Sequence, residues 1–142
     1  MAPDTTRARR LIALGSVLFL LGLLTGVVVP LLRSPRIGLT SHLEGVMNGT
    51  FLMVVGAVWH HVRLPDRAAT AAVWLLVYGT FVNWLSTLLG AVFGAGGLMP
   101  IAGGGITAGP VAEGIVATGL LSLSVAMVAG CGLLAWGLLR RA

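Results

Sequence analysis

Lysine is absent from this chain, acidic residues number four, and charged residues together make up 9% of its 142 positions. A soluble domain carries about 25% charged residues, enough to coat its surface. A water-exposed globule of this size is therefore excluded, as are a disordered tail and a fibrous protein. Cysteine occurs once, at Cys131, so neither a disulfide framework nor a CxxC pair forms within one chain. The nine arginines give a net charge of +5, but they stand between long apolar runs. The clustered basic face of a nucleic-acid binder is missing, and no nucleic-acid partner is expected. What the chain has in abundance is apolar length, with 57% hydrophobic residues and a mean hydropathy of +1.00. The length allows a single domain, 1–142.

Leu11 to Leu32 is uncharged over 22 residues. At a rise of 1.5 Å per residue this is about 33 Å, enough to cross a hydrocarbon core of about 30 Å. The run exceeds the apolar region of a signal peptide and has no A-x-A site after it, so it reads as a retained membrane helix. Three further runs follow. The pattern predicts an all-α, integral membrane four-helix bundle, with helices at about 11–32, 43–62, 68–93 and 110–139. A charge-free loop, GAGGLMPIAGGGITAGP (94–110), precedes the last helix. Arg7, Arg9, Arg10, Arg63, Arg67, Arg140 and Arg141 fall on one side and Arg33 and Arg36 on the other. The positive-inside rule then places both termini in the cytoplasm, in a multi-pass protein of the cell membrane. Small residues recur along the helices, which lets backbones approach closely in lipid and implies homo-oligomerisation.

Polar residues at membrane depth are costly and are usually functional. In S-H-L-E-G-V-M-N-G (41–49), the Ser41 to Glu44 spacing fits a capping box at the start of the second helix. Asn48 lies deeper and needs a hydrogen-bond partner. His42, Gly45, Gly49 and Gly56 share one helix face, leaving room for another helix or for a flat ligand; Glu44 and Asn48 share a neighbouring face. In the third helix, Thr80, Asn83 and Thr87 form a stripe continued by Gly90 and Gly94. Two polar stripes at similar depth suggest one small cavity near the outer side. Glu113, in a first turn after Pro110, suits the helix macrodipole. His60 and His61 read as interface anchors. The Gly-rich loop lacks the G-K-[ST] ending of a phosphate-binding loop.

The strings GLTSHLEGVMNGTFLMVVG (38–56) and YGTFVNWLSTLLGAVFGAGGLMPIAGGG (78–105) resemble the hydroxylaminobenzene mutases. These are small four-helix membrane enzymes that isomerise hydroxylaminobenzene to 2-aminophenol, and the resemblance spans nearly the whole chain after Arg10. The chain is similar, more distantly, to styrene oxide isomerase, through a histidine followed six positions later by Asn-Gly. That second resemblance implies His42 as axial ligand of haem b in a homotrimer, and Asn48 as a substrate-positioning residue. A tyrosine active in that isomerase has no clear match; Thr87 stands near its place, and Tyr78 is on another face. Beside the implied haem, Gly45 and Gly49 would admit the macrocycle and Arg36, with Arg33, would meet the propionates. The candidate catalytic set is Asn48, Asn83, Glu44 and Thr87, walled by Trp84, Met47 and Phe51. Haem held by one histidine keeps an open iron position. The expected activity is rearrangement of a small aromatic hydroxylamine with ferric haem as Lewis acid. An epoxide isomerase and a small four-helix transporter are the alternatives. A transporter needs an acidic residue deep in a helix, whereas Glu44 and Glu113 both read as helix starts.

Overall fold

The computed structural model describes residues 5–140, and it is all-α, with no strand among them. Its helices are α1 (Thr5–Val28), α2 (Pro35–Val58), α3 (Asp66–Phe93), the short α4 (Pro100–Gly103) and α5 (Pro110–Leu139). Proline occupies the first helical position of α2, α4 and α5, where its missing N–H has no helical partner to lose. A 3-10 turn containing Pro30 closes α1. At the end of α3, Gly94 takes a φ of 71°, the left-handed conformation that glycine adopts without strain, and Ala95 N–H returns to the Gly90 carbonyl at 3.0 Å.

The second helix begins at Pro35, well before the expected position near 43. Ser34 stands at the N-cap position without a side-chain cap bond and Pro35 opens the helix, so Ser41 lies inside it and the expected capping box with Glu44 does not form. Glu44 instead lies nine residues past Pro35, about 14 Å along the axis at the helical rise. The helix-start placement that argued against an acidic residue at depth is thereby overturned. The first helix also starts earlier than 11, taking Arg7, Arg9 and Arg10 into its opening turns. Arg141 lies outside the described residues.

Three helical stretches, Thr5–Leu31, Asp66–Phe93 and Pro110–Leu139, are long and apolar enough to cross a membrane. The remaining long helix, α2, has 24 residues, spans about 36 Å at the helical rise, and carries Arg36, His42 and Glu44. The four long helices pack in a row, α1 against α2, α2 against α3 and α3 against α5, with α1 touching α3 lightly. Their seams are narrow. In α1 the buried residues are Leu11, Gly15, Leu18, Gly22 and Thr25, one stripe at intervals of four and three. The facing stripe of α2 includes Ser41, Gly45, Gly49, Leu52 and Gly56. At the arginine-bearing end, Arg7 ties α1 to α3 through Asp66 and Thr70, each at 2.7 Å. Asp66 is mostly exposed, so this pair contributes little to stability.

Backbone meets backbone between α1 and α2. A Cβ added at Gly22 would lie 2.6 Å from Val46 N, and one at Gly45 would lie 2.5 Å from Gly22 Cα. By contrast, a Cβ at Gly132 in α5 meets nothing within 4 Å. Gly22→Ala is expected to force the helices apart and to lower stability by about 1–3 kcal/mol. Gly132→Ala should leave stability unchanged or raise it by about 0.5–1 kcal/mol, because alanine favours the helix. Thermal unfolding of the two variants in detergent checks this; equal behaviour would contradict the close approach.

Candidate functional site

Helix α2 carries most of the chemistry, and its pitch divides that chemistry between two neighbours. His42 and Glu44 are two residues apart, about 200° around the axis, so they lie on opposite flanks. His42 leans on α1, where its Nδ1 lies 2.8 Å from the Gly22 carbonyl oxygen. A carbonyl only accepts, so Nδ1 carries the proton and donates, leaving the lone pair on Nε2. Gly26 makes the space: a Cβ there would sit 2.6 Å from Nδ1. Nε2 has no hydrogen-bond partner among the described residues, and the imidazole is half-buried.

The other flank faces α3. Glu44 Oε2 accepts from Asn48 Nδ2 at 3.2 Å, one turn along the same helix, and from Asn83 Nδ2 of α3 at 2.5 Å. All three side chains are half-buried. This cluster joins Glu44, Asn48 and Asn83 as a bridge between two helices. The single cavity expected to hold His42 together with these residues is not formed within one chain. The histidine belongs to the α1 seam and the carboxamides to the α3 seam.

Other expected members are placed elsewhere. Thr87 is buried, and its hydroxyl donates to the Asn83 and Trp84 carbonyls of its own helix, so it does not enter the cluster. Thr80 does the same with Leu76 and Val77. Of that stripe only Asn83 reaches across. The glycine strip is filled by a helix: Gly49 packs on Phe19 and Gly15, and Gly45 on Gly22 and the Trp84 indole, which leaves no slot there for a macrocycle. Of the expected wall, Met47 is 65% exposed and points outward. Trp84 turns inward, donating from Nε1 to Thr25 Oγ1 at 3.0 Å, while Ser41 Oγ donates to the Trp84 carbonyl. Phe51 is half-buried against the core. Tyr78 meets Ser122 on α5 and takes no part.

Sequence reasoning missed Gly22 and Gly26 as the seat of His42, and Thr25 as the partner of Trp84. A G-x3-G pair on α1 was the available signal, but nothing in the sequence says which helix a glycine faces.

The Gly-rich loop between α3 and α5 is pinned by charge. Glu113 Oε2 accepts from Gly97 N–H at 3.1 Å and Oε1 from Ala108 N–H at 2.9 Å, so its carboxylate staples both ends of the loop. Arg33 donates to the Phe93 carbonyl at 3.1 Å and Arg36 to the Ile101 carbonyl at 2.9 Å. The arginines expected at propionates instead hold backbone carbonyls, Arg33 at the end of α3 and Arg36 in the segment after it.

The residues can be tested for haem. One imidazole whose Nδ1–H is held by a backbone carbonyl, with Nε2 left open, is the arrangement that orients a metal-bound histidine. Among the described residues no group of three or more His, Cys, Asp and Glu side chains could hold a bare metal ion. A prosthetic group that needs a single protein ligand fits this donor set.

The family model for styrene oxide isomerase matches residues 7–139. Over 136 residues the chain is 52% identical to hydroxylaminobenzene mutase HabB of Ectopseudomonas oleovorans, covering 95% of this chain and 83% of that protein. It is 47% identical over 131 residues to hydroxylaminobenzene mutase HabA of the same organism, covering 92% of this chain and 97% of that protein. No solved structure matches.

Removing the Glu113 staple frees two backbone N–H groups and loosens the loop. Glu113→Ala is expected to speed protease cleavage within 94–109 while leaving helix content unchanged, read by limited proteolysis and circular dichroism. Cleavage at the parental rate would show that the staple does not hold the loop.

Proposed function

The chain belongs to the styrene oxide isomerase family and is an isomerase, and from that footing we propose that it converts an arylhydroxylamine such as hydroxylaminobenzene to 2-aminophenol. The single observation that carries the reading is the carboxylate-bridged pair Asn48–Glu44–Asn83 on the α2–α3 seam, a polar head-group site in an otherwise apolar protein. The identity to two mutases over nearly the whole chain favours this reaction over transport, even though Glu44 lies deep in its helix.

The rearrangement is redox-neutral. The N–O bond breaks, a C–O bond forms at the ortho carbon, and the proton displaced from that carbon is balanced by one gained at nitrogen, so no external electrons are needed. Asn48 and Asn83 hold and orient the NHOH group. The apolar flanks of α2 and α3 take the ring and exclude water, which would otherwise capture an electron-poor ring carbon. His42, through Nε2, would hold haem b, which when bound supplies a Lewis-acidic iron to polarise the N–O bond.

Four spans, with α2 crossing as the fourth helix and both termini cytoplasmic, complete this reading as a multi-pass protein of the cell membrane. Its site is assembled between copies. His42 and Asn48 lie in different seams of one chain, and copies arranged around a closed ring would bring the open edge of the histidine seam of one beside the open edge of the carboxamide seam of the next. A homotrimer is the ring expected from the distant resemblance.

Detergent-purified protein is expected to show a Soret band that is lost in His42→Ala; colourless, metal-free protein that still turns over eliminates haem. Asn48→Ala should keep the pigment but slow isomerisation by about tenfold or more, since a bond made to the reacting group is lost. Co-expressed His42→Ala and Asn48→Ala chains should recover part of the activity in mixed assemblies. No recovery would place both residues' work within one chain.

A further inference from the structure

A carboxylate accepts hydrogen bonds and donates none. Because Glu44 Oε2 receives both Asn48 Nδ2 and Asn83 Nδ2, each asparagine must turn its NH2 toward Glu44. Both Oδ1 carbonyls therefore face away from the carboxylate. Glu44 Oε1 and the two Oδ1 atoms have no hydrogen-bond partner among the described residues. No side-chain polar atom there is both buried and unpartnered, so these three oxygens stand at the accessible edge of the α2–α3 seam.

Three acceptor oxygens, one of them carrying charge, call for a ligand that donates. An arylhydroxylamine brings an N–H and an O–H. An epoxide brings neither. Each amide keeps one further N–H, so an epoxide oxygen would still find a donor, but it would displace water from Glu44 Oε1 without returning a donor to it. Leaving a charged acceptor desolvated and unpaired is what makes a polar site reject an analogue that lacks the matching group.

We propose that Glu44 is the specificity-determining residue of the site: it sets the amide orientation of Asn48 and Asn83, and its free Oε1 selects donor-bearing NHOH head groups over epoxides. This rests on the mutase reading and deepens it. Within a family whose model carries the name of an epoxide isomerase, the carboxylate is then the feature that turns this chain toward hydroxylamines.

The experiment measures competition and turnover with three compounds: hydroxylaminobenzene, its O-methyl ether, which lacks the O–H, and styrene oxide. Wild-type protein is expected to bind the ether at least ~10-fold more weakly than the parent, the range for a lost hydrogen bond to a charged group. In Glu44→Gln the gap between these two should shrink to within about threefold, and the preference for hydroxylaminobenzene over styrene oxide should fall about tenfold. A uniform loss across all three compounds, or unchanged ratios, would mean that Glu44 serves packing alone and would overturn the proposal. Should Glu44→Gln fail to fold, the wild-type comparison still decides, because equal binding of parent and ether overturns it by itself. Failure of the mutase reading looks different: hydroxylaminobenzene would bind with the donor preference intact and not be turned over.

Discussion

Where Gly22 of α1 meets Gly45 of α2, no side chain separates the two backbones, and the same is true where Gly15 meets Gly49. Helices in lipid gain little from burying apolar groups against one another, so contact at this range is where their association energy arises. The contact also sets the chemistry. It brings the Gly22 carbonyl within 2.8 Å of His42 Nδ1, while Gly26 leaves room for the ring. A wider seam would leave the imidazole free to rotate and either nitrogen free to carry the proton. With the seam closed, the tautomer is fixed and Nε2 is the nitrogen left to bind. A metal-ligating role for His42 thus depends on three residues without side chains.

The same helix faces two ways. Its position in the row, between α1 and α3, lets α2 carry polar groups that an outer helix would have to expose. The burial of the three apolar stretches follows this order: the most apolar window is 22% buried in the α1 stretch and in α5 but 39% in α3, which has a neighbour on each side. Both polar sets of α2 are directed into seams, the histidine toward α1 and the carboxylate toward α3. Each polar group at depth then has a partner, which is the condition for tolerating it there. That arrangement is also why one chain does not bring histidine and carboxamides together.

The sequence made the helical content legible because long apolar runs and arginine-bearing connections are compositional signals. Gly94 and Pro110 punctuate the end of α3 and the start of α5, and both are visible in the sequence. The start of α2 was misread because two arginines near Pro35 suggested a loop and S-H-L-E imitated a capping box; Pro35 was the stronger signal. The pairing of Glu44 with Asn48 was visible in their spacing of four. That Asn83 would reach Glu44, while Thr80 and Thr87 turned back on their own helix, was not. A threonine hydroxyl can always satisfy itself on the carbonyl one turn earlier, whereas an asparagine amide in a helix has to look outward. The glycines showed the reverse ambiguity: periodicity gave their face but not their occupant, and the occupant was helix α1.

Three further charged residues share a pattern at the end of the fold that carries the Gly-rich loop. Arg33, Arg36 and Glu113 all bind backbone groups of the loop spanning 94–109 or of the α3 terminus beside it. A loop rich in glycine would otherwise have high conformational entropy and little packing to order it. Three charge-assisted bonds to its backbone, one from Arg36 and two to Glu113, restrain it, and Arg33 holds the Phe93 carbonyl at the α3 end beside it. Ordering that segment fixes the connection between α3, which carries Asn83, and α5, which packs against it. At the accessible edge where Glu44 Oε1 stands, water pairs the oxygen until a ligand displaces it, so discrimination rests on whether that ligand returns a donor. The staple at Glu113 bears on this only through α3, whose following loop it holds and whose Asn83 donates to the Glu44 carboxylate.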